Sequence, residues 1–237
     1  MKPKTLNVYL GWDPRETVPY QVAHDSIARR TKEPVQIIPL KLGHIDFLKR
    51  LIEHKDGKLW CPISQAPMST EFAISRFAVP FIQQNGWTLF ADCDIICWSD
   101  IKEVFNLVDD KYAVMVVKHP HSNENTAKVV KMDGQTQTFY VRKNWSSVVL
   151  WNCDHEANKR FTIENLNTWP GRDLHAFKWL EDAEIGELSQ EWNWLINVTS
   201  GEPEKKGIWH YTLGGPWFEG WRPAPFDSEW LSEAKKA

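Results

Sequence analysis

No run in this sequence approaches the roughly 20 consecutive apolar residues that a membrane-spanning helix needs. The apolar stretch Val8-Tyr9-Leu10 behind Met1-Lys2-Pro3-Lys4 is too short for a secretory signal, so a cytoplasmic protein is expected. A basic excess is missing as well. Its 28 lysines and arginines stand against 31 aspartates and glutamates, for a formal charge of −3. The basic residues are scattered, which leaves no patch for a phosphate backbone and argues against a nucleic-acid partner. Cysteine is scarce, with four in 237 residues and no Cys-x-x-Cys pair. Cys61, Cys93, Cys97 and Cys153 read as buried free thiols of a reducing compartment rather than a disulfide frame. No repeat, low-complexity tract or composition break divides the chain, and one domain over residues 1–237 is expected.

Tryptophan, by contrast, is plentiful, with 14 residues beside 5 tyrosines and 11 phenylalanines. Trp192, Trp194, Trp209, Trp217, Trp221 and Trp230 crowd the last quarter, among Gly, Pro, Asn and Glu. Flat rings in polar company suit either loop packing or the apolar face of a sugar or nucleobase. The sequence leaves both open.

The first half alternates two periodicities. Leu6 to Leu10 reads as a strand closed by Gly11-Trp12-Asp13-Pro14, and a helix follows with Pro19 in its first turn and Val22, Ala23 and Ile27 on one face. Val35 to Leu40 reads as a second strand. A helix capped by Ser69 or Thr70 carries Phe72, Ala73, Arg76, Phe77 and Phe81 towards Asn85-Gly86. Such alternation predicts a mostly parallel sheet covered on both faces, with ligands at the carboxyl ends of its strands. The second half is less regular. Tyr112 to Val117, Ser146 to Trp151 and Ile208 to Tyr211 read as strands, and Glu156 to Leu166 and Asp173 to Glu181 as helices.

The most informative segment is Trp87 to Ile96, an apolar β-type run that contains Asp92-Cys93-Asp94. A strand there projects the two carboxylates from one face and Cys93 from the other. Paired carboxylates in apolar surroundings repel each other and are costly to desolvate, and a divalent cation between them removes both costs. Oxygen ligands of this kind favour Mg²⁺, Mn²⁺ or Ca²⁺ over zinc. His210, at the end of an apolar strand and before Thr212-Leu213-Gly214-Gly215-Pro216, is the best candidate for a further ligand. His119, His121, His155 and His175 compete for that role.

The order of these motifs resembles the metal-dependent, nucleotide-sugar glycosyltransferases of the GT-A fold, most nearly glycosyltransferase family 8. The resemblance is carried by Val8 to Asp13, by Arg76 within Ile74-Ser75-Arg76-Phe77, and by Asp92-Cys93-Asp94. The run Asn144 to Asn152 and the segment His210-Tyr211-Thr212-Leu213-Gly214-Gly215-Pro216-Trp217 extend it over nearly the whole chain. It implies a single-domain, Rossmann-like α/β fold, a mixed and mostly parallel sheet flanked by helices. Residues 1–100 would form the nucleotide-binding half, 101–221 the acceptor and metal-completing half, and 222–237 a C-terminal tail. It also implies Mn²⁺ or Mg²⁺ held by Asp92, Asp94 and His210. A UDP-sugar donor would lie against Gly11, Trp12, Asp13, Arg76, Asp92, Gly214 and Gly215, with a carbohydrate as acceptor. Asp13 would meet the nucleobase, unless it serves only the turn before Pro14. An oxocarbenium-like anomeric centre calls for a nearby carboxylate or amide, and Asn152, Asp154, Gln190 and Glu191 are candidates. Asp154 could instead cap the helix that follows it.

Two departures qualify the resemblance. The family lysine before Pro-Trp is Gly215 here, so Arg76, with Lys143 and Arg15 behind it, would supply the positive charge. If the loop holds the family position, Gly215→Lys should be tolerated. The family Asp-Gln motif has only a loose counterpart in Gln190-Glu191-Trp192-Asn193. Two rival readings remain. One is an aspartyl-phosphate hydrolase, which would want its Asp-x-Asp nearer the N-terminus. The other is a non-catalytic nucleotide-sugar-binding module, which the missing lysine mildly favours.

Overall fold

The computed structural model describes residues 5–55, 58–120 and 142–237. In chain order its elements begin with β1 (Leu6–Gly11), α1 (Thr17–Arg30), β2 (Val35–Leu40), β3 (Glu53–Lys55), β4 (Lys58–Cys61) and β5 (Ala66–Met68). There follow α2 (Phe72–Ser75), α3 (Val79–Gln83), β6 (Trp87–Ala91), β7 (Ile95–Cys97), α4 (Lys102–Phe105), β8 (Val114–Val116) and β9 (Val148–Asn152). The chain continues with α5 (Ile163–Thr168), α6 (Gly171–His175), β10 (Ile185–Glu187), β11 (Trp194–Leu195), β12 (Ile208–His210) and α7 (Asp227–Ala234).

The expected α/β architecture is what forms. The main sheet has the order β10-β8-β9-β6-β1-β2. Every neighbouring pair is parallel except those made by β9, which runs antiparallel to both β6 and β8. Every residue of β8 and β9 is buried, as suits strands covered on both faces. Pro39, which cannot donate to a ladder, lies in the edge strand β2. A second sheet, β11-β12-β7, adjoins a small aromatic core that includes Ile96, Trp209, Tyr211 and Trp230. A third sheet, β3-β4-β5, is antiparallel and lies in a region with no sequence expectation.

Several elements differ from the sequence reading. The helix expected from Ser69 onward is broken into α2, a 3₁₀ turn over Arg76–Ala78 and α3, and its N-cap is Glu71 without a side-chain bond. Pro80 lacks the N–H that a continuous α-helix would give to the Arg76 carbonyl, so the chain tightens there. The helix expected over Glu156 to Leu166 is a 3₁₀ turn followed by α5, because Thr162 starts a new helix through a capping box with Asn165. The one expected over Asp173 to Glu181 stops at His175, and Phe177 turns away at φ +48°. Residues 222–237, read as a tail, contain α7. Its buried Glu233 accepts from Arg29 at 2.6 Å and Arg30 at 3.1 Å and so fastens it to α1.

The four cysteines are buried free thiols, as expected. None of the fourteen tryptophans is exposed, which settles most of the aromatic surplus as packing. Trp151, Trp192 and Trp209 are among the largest fully buried side chains. Among the described residues no helix is long and apolar enough to cross a membrane.

Candidate functional site

The run Trp87 to Ile96 is not one strand. It pairs with the main sheet as far as Ala91, bends through Asp92-Cys93-Asp94, and joins the second sheet from Ile95. The Asp92 N–H donates to the Ser147 carbonyl at 2.9 Å, and the Asp94 carbonyl accepts from the Tyr211 N–H at 2.8 Å. The Asp-x-Asp segment is therefore the hinge between two sheets. Its carboxylates converge because of that bend and not because of strand alternation. Cys93 is fully buried, and its thiol donates to Glu16 at 3.2 Å.

Pairing of β7 with β12 brings His210 opposite Ile95 and so beside the hinge. Asp92, Asp94 and His210 each offer one ligand atom, all within 4.8 Å of one another. His210 Nε2 lies 3.1 Å from Asp94 Oδ1 and 3.9 Å from Asp92 Oδ2. The three side chains are only 2%, 15% and 12% exposed, in the order His210, Asp94, Asp92, so water screens them little. Arg76 Nη1 pairs with Asp92 Oδ1 at 2.9 Å. Two carboxylates and one guanidinium leave one negative charge, which a divalent cation would turn positive. Two oxygen donors and one nitrogen fit Mn²⁺ or Mg²⁺.

Arg76 is itself held in place. It donates to the Phe72 and Ser146 carbonyls at 3.1 and 2.9 Å and lies over the Phe90 ring at 5.2 Å. Ser146 Oγ in turn sits 2.7 Å from His175 Nδ1. Burial, then the Arg76 and Arg50 charges, push the His175 imidazole well below its ordinary pKa, so it is neutral. The cleft over the hinge is also lined by Glu16, Ser69, Thr70 and Phe218.

The structure does not bring all the sequence candidates to this cleft. Asn152 pairs with Trp87, at the far end of β6 from Asp92. Five residues of strand separate them, roughly 17 Å at strand rise. The mostly parallel expectation hid this, because β9 alone runs the other way. Asn152 donates to the Tyr112 carbonyl at 3.2 Å and Asp154 is exposed, so neither can reach the carboxylates. Asp154 does not cap the following turn either. His155 does, accepting from the Ala157 N–H at 3.1 Å. Glu191 pairs with Lys206 at 2.9 Å. Gln190 is exposed and lines a separate cavity with Lys118, His119 and Glu187.

Gly11 ends β1 against Phe72, whose ring a Cβ would meet at 2.6 Å. Trp12 packs edge-on against Tyr20 with Lys41 over its ring at 4.4 Å. Asp13 is fully buried and accepts from Arg15 N, Nε and Nη2 and from Glu71 N, at 2.6 to 3.0 Å. Burial raises its pKa, but these bonds outweigh burial and hold the carboxyl below its usual range. Gly214 lines the cleft at φ +101°, but its N–H is spent on the Tyr211 carbonyl at 2.7 Å and so does not face an anion. A Cβ on Gly215 would stand 2.1 Å from the Trp217 ring, which packs on Trp230. The expectation that Gly215→Lys is tolerated is therefore corrected.

Of the competing histidines, His155 and His175 are engaged as described and His121 lies outside the described residues. His119 Nε2 contacts Asn193 Nδ2 at 3.1 Å, and Asn193 Oδ1 contacts His210 Nδ1 at 3.0 Å. Asn193, fully buried, is a site residue that sequence reasoning passed over in favour of its neighbours Gln190 and Glu191. Glu16 was also missed. Its only signal was an acidic side chain just past the turn that closes β1.

No protein-family model matches the chain. Among solved structures, the WbbM bifunctional glycosyltransferase matches 97% of this chain with a TM-score of 0.61 at 12% identity. The chain spans only 49% of that protein's chain. The galactosyltransferase LgtC, solved with donor and acceptor sugar analogs, matches 98% of this chain and 96% of its own, with a TM-score of 0.55 at 10% identity. Mouse xyloside xylosyltransferase 1 matches 88% of this chain and 98% of its own, with a TM-score of 0.53 at 12% identity. At such identities the likeness is one of fold, and the fold is a GT-A-like glycosyltransferase fold. The sequence narrows this further. Protein CDI of Arabidopsis thaliana is 43% identical over 239 residues, covering 98% of this chain and 87% of that protein, and the chain belongs to its family.

Proposed function

We propose that this protein is a divalent-metal-dependent glycosyltransferase of the family 8 kind, moving a hexose-type sugar from a UDP-linked donor to a carbohydrate acceptor. The observation that carries the reading is the convergence of Asp92, Asp94 and His210 beside a buried Arg76, at the carboxyl edge of a glycosyltransferase-type sheet. Ligands of open α/β sheets bind at that edge. Asp92, Asp94 and His210 would hold Mn²⁺ or Mg²⁺, which as a Lewis acid stabilises the charge on a departing diphosphate.

The chain's own residues do the rest. Arg76 pairs with Asp92 and adds a fixed positive charge where phosphate oxygens would lie. This makes it the replacement for the lysine missing at Gly215. The Gly11-Trp12 edge offers a wall for the nucleobase, with Asp13 bracing it through Arg15 and Glu71. Glu16, Ser69 and Thr70 line the cleft and would present hydrogen-bonding groups to sugar or ribose hydroxyls, with Glu16 in place of Asn152 and Asp154 as the carboxylate on the cleft wall. Gln190, in the cavity at the carboxyl ends of β8 and β10, would meet the acceptor. The hydrolase reading gains no support from this arrangement, in which a histidine closes the carboxylate pair.

Calorimetry of UDP with and without Mn²⁺ tests the reading. Binding should require the metal, and equal affinity in excess EDTA would contradict it.

A further inference from the structure

Three residues place a proton on the Nδ1 nitrogen of His210. Asn144 sits at the left-handed φ of +65°, a conformation asparagine tolerates, and its carbonyl accepts from the Ser147 hydroxyl at 2.7 Å. A carbonyl can only accept, so that bond uses the single proton of Ser147. The Ser147 oxygen is then an acceptor towards Asn193, whose Nδ2 lies 2.9 Å away. The amide nitrogen of Asn193 must therefore face Ser147, with its second proton directed at His119 Nε2 at 3.1 Å. This leaves the amide oxygen against His210 Nδ1 at 3.0 Å. An amide oxygen only accepts, so Nδ1 carries a proton, and Nε2, 3.1 Å from Asp94 Oδ1, is the nitrogen that a cation held by the carboxylates would meet.

We infer that Asn144, Ser147 and Asn193 form a one-way hydrogen-bond chain that holds a proton on His210 Nδ1 and so reserves Nε2 for a metal. The inference rests on the reading of Asp92, Asp94 and His210 as a metal set. Asn193 is fully buried and Ser147 is 4% exposed, so little water is at hand to rescue a reversed amide. Reversal would set an NH₂ group against Nδ1–H and an oxygen against the lone pairs of Ser147. Ser147 acts twice, because its carbonyl also accepts the Asp92 N–H at 2.9 Å. One residue thus anchors the first ligand and orients the third. Asn193 and Ser147 are positioning residues, of the kind that holds metal-bound histidines in a fixed tautomer.

Long-range ¹H–¹⁵N NMR of metal-free protein labelled at histidine reads directly whether Nδ1 of His210 carries a proton. Wild type should show His210 protonated at Nδ1. Asn193→Leu, similar in volume but unable to accept, should show mixed tautomers and bind Mn²⁺ about 10- to 100-fold more weakly by calorimetry. Asn193→Asp, which again offers an acceptor, should restore the Nδ1–H form. A wild-type His210 without a proton on Nδ1 would overturn the inference, as would Asn193→Leu with an unchanged Nδ1 signal and Mn²⁺ affinity. The wild-type spectrum needs neither a variant nor a metal. It decides the point even if wild type binds no Mn²⁺, an outcome that would count against the metal reading instead.

Discussion

The two ends of the central sheet bury similar polar residues and treat them in opposite ways. Where β9 finishes, Asn152 donates to the Tyr112 carbonyl and Asn158 donates to the carbonyls of Ala113 and Asn152. Asn158 also accepts from Trp179 Nε1 at 3.1 Å. Neutral donors meet neutral acceptors there, and the cluster serves as mortar between β9, the 3₁₀ turn after it and the loop before β8. Where β6 finishes, two carboxylates and an imidazole nitrogen face one another within 4.8 Å, with one buried arginine beside them. Acceptors facing acceptors are costly unless a cation intervenes. Burial of a polar side chain therefore says little by itself. Function is marked where buried carboxylates are gathered so that a cation would join them.

The largest expected effects break that contrast at the charged end. Asp94→Ala or Asp92→Ala should lower metal-dependent turnover by about 10²- to 10³-fold or more, the scale for losing stabilisation of developing charge. Circular dichroism and melting temperature should hold, since removing one carboxylate also removes repulsion. A variant that keeps wild-type turnover would put the metal set elsewhere.

Glu233 shows what a fully complemented buried carboxylate looks like. Burial raises its pKa, but the bonds from Arg30, Lys236 and Arg29 outweigh that and bring it from 4.5 to about 2. A depressed folded pKa means stability that is present above the unfolded value and lost as pH falls towards the folded one. About 3 kcal/mol should therefore disappear between roughly pH 4.5 and 2, at 1.36 kcal/mol per pH unit. Glu233→Gln should flatten that part of the stability profile measured by urea unfolding. An unchanged profile would mean that α7 is not held by this clasp.

Arg76→Ala removes the guanidinium paired to Asp92 and should weaken UDP–Mn²⁺ binding by about 1.5–3 kcal/mol in calorimetry. Full affinity in that variant would mean that Arg76 serves only the Phe72 and Ser146 carbonyls. The smallest effect sharpens the other side of the comparison. Asn158→Ala should cost about 1–3 kcal/mol of unfolding free energy by stranding buried partners, while Mn²⁺ affinity stays within twofold of wild type. A loss of metal affinity there would mean that the two ends are coupled.

Much of the charged end is legible in the sequence because its signals are local. An Asp-x-Asp in an apolar run and a histidine ahead of a glycine pair carry their chemistry in residue type and order. The first three parallel strands are legible for the same reason, from periodicity and from Gly and Pro at their ends. What stays hidden depends on strand direction and hydrogen-bond polarity. Asn152 looked like a site residue until β9 proved antiparallel, which moved it to the wrong edge. Asn193 looked no better than Gln190 or Glu191, because only the 3₁₀ turn over Gln190–Asn193 shows which of the three turns inward. The Gly214-Gly215 pair read as part of the donor site, but the Gly214 N–H closes a turn and Gly215 leaves room for Trp217. Both are tertiary facts, invisible to spacing.

The central claim is that the carboxyl-edge cluster performs metal-dependent transfer from a nucleotide sugar. Its most direct test is release of nucleoside diphosphate from a panel of nucleotide sugars, measured with Mn²⁺ and with EDTA, on wild type and Asp94→Ala in parallel. The account predicts release from a UDP-linked sugar by wild type with Mn²⁺ only, and none above background in the other three conditions. Equal release in EDTA, or by Asp94→Ala, would contradict it.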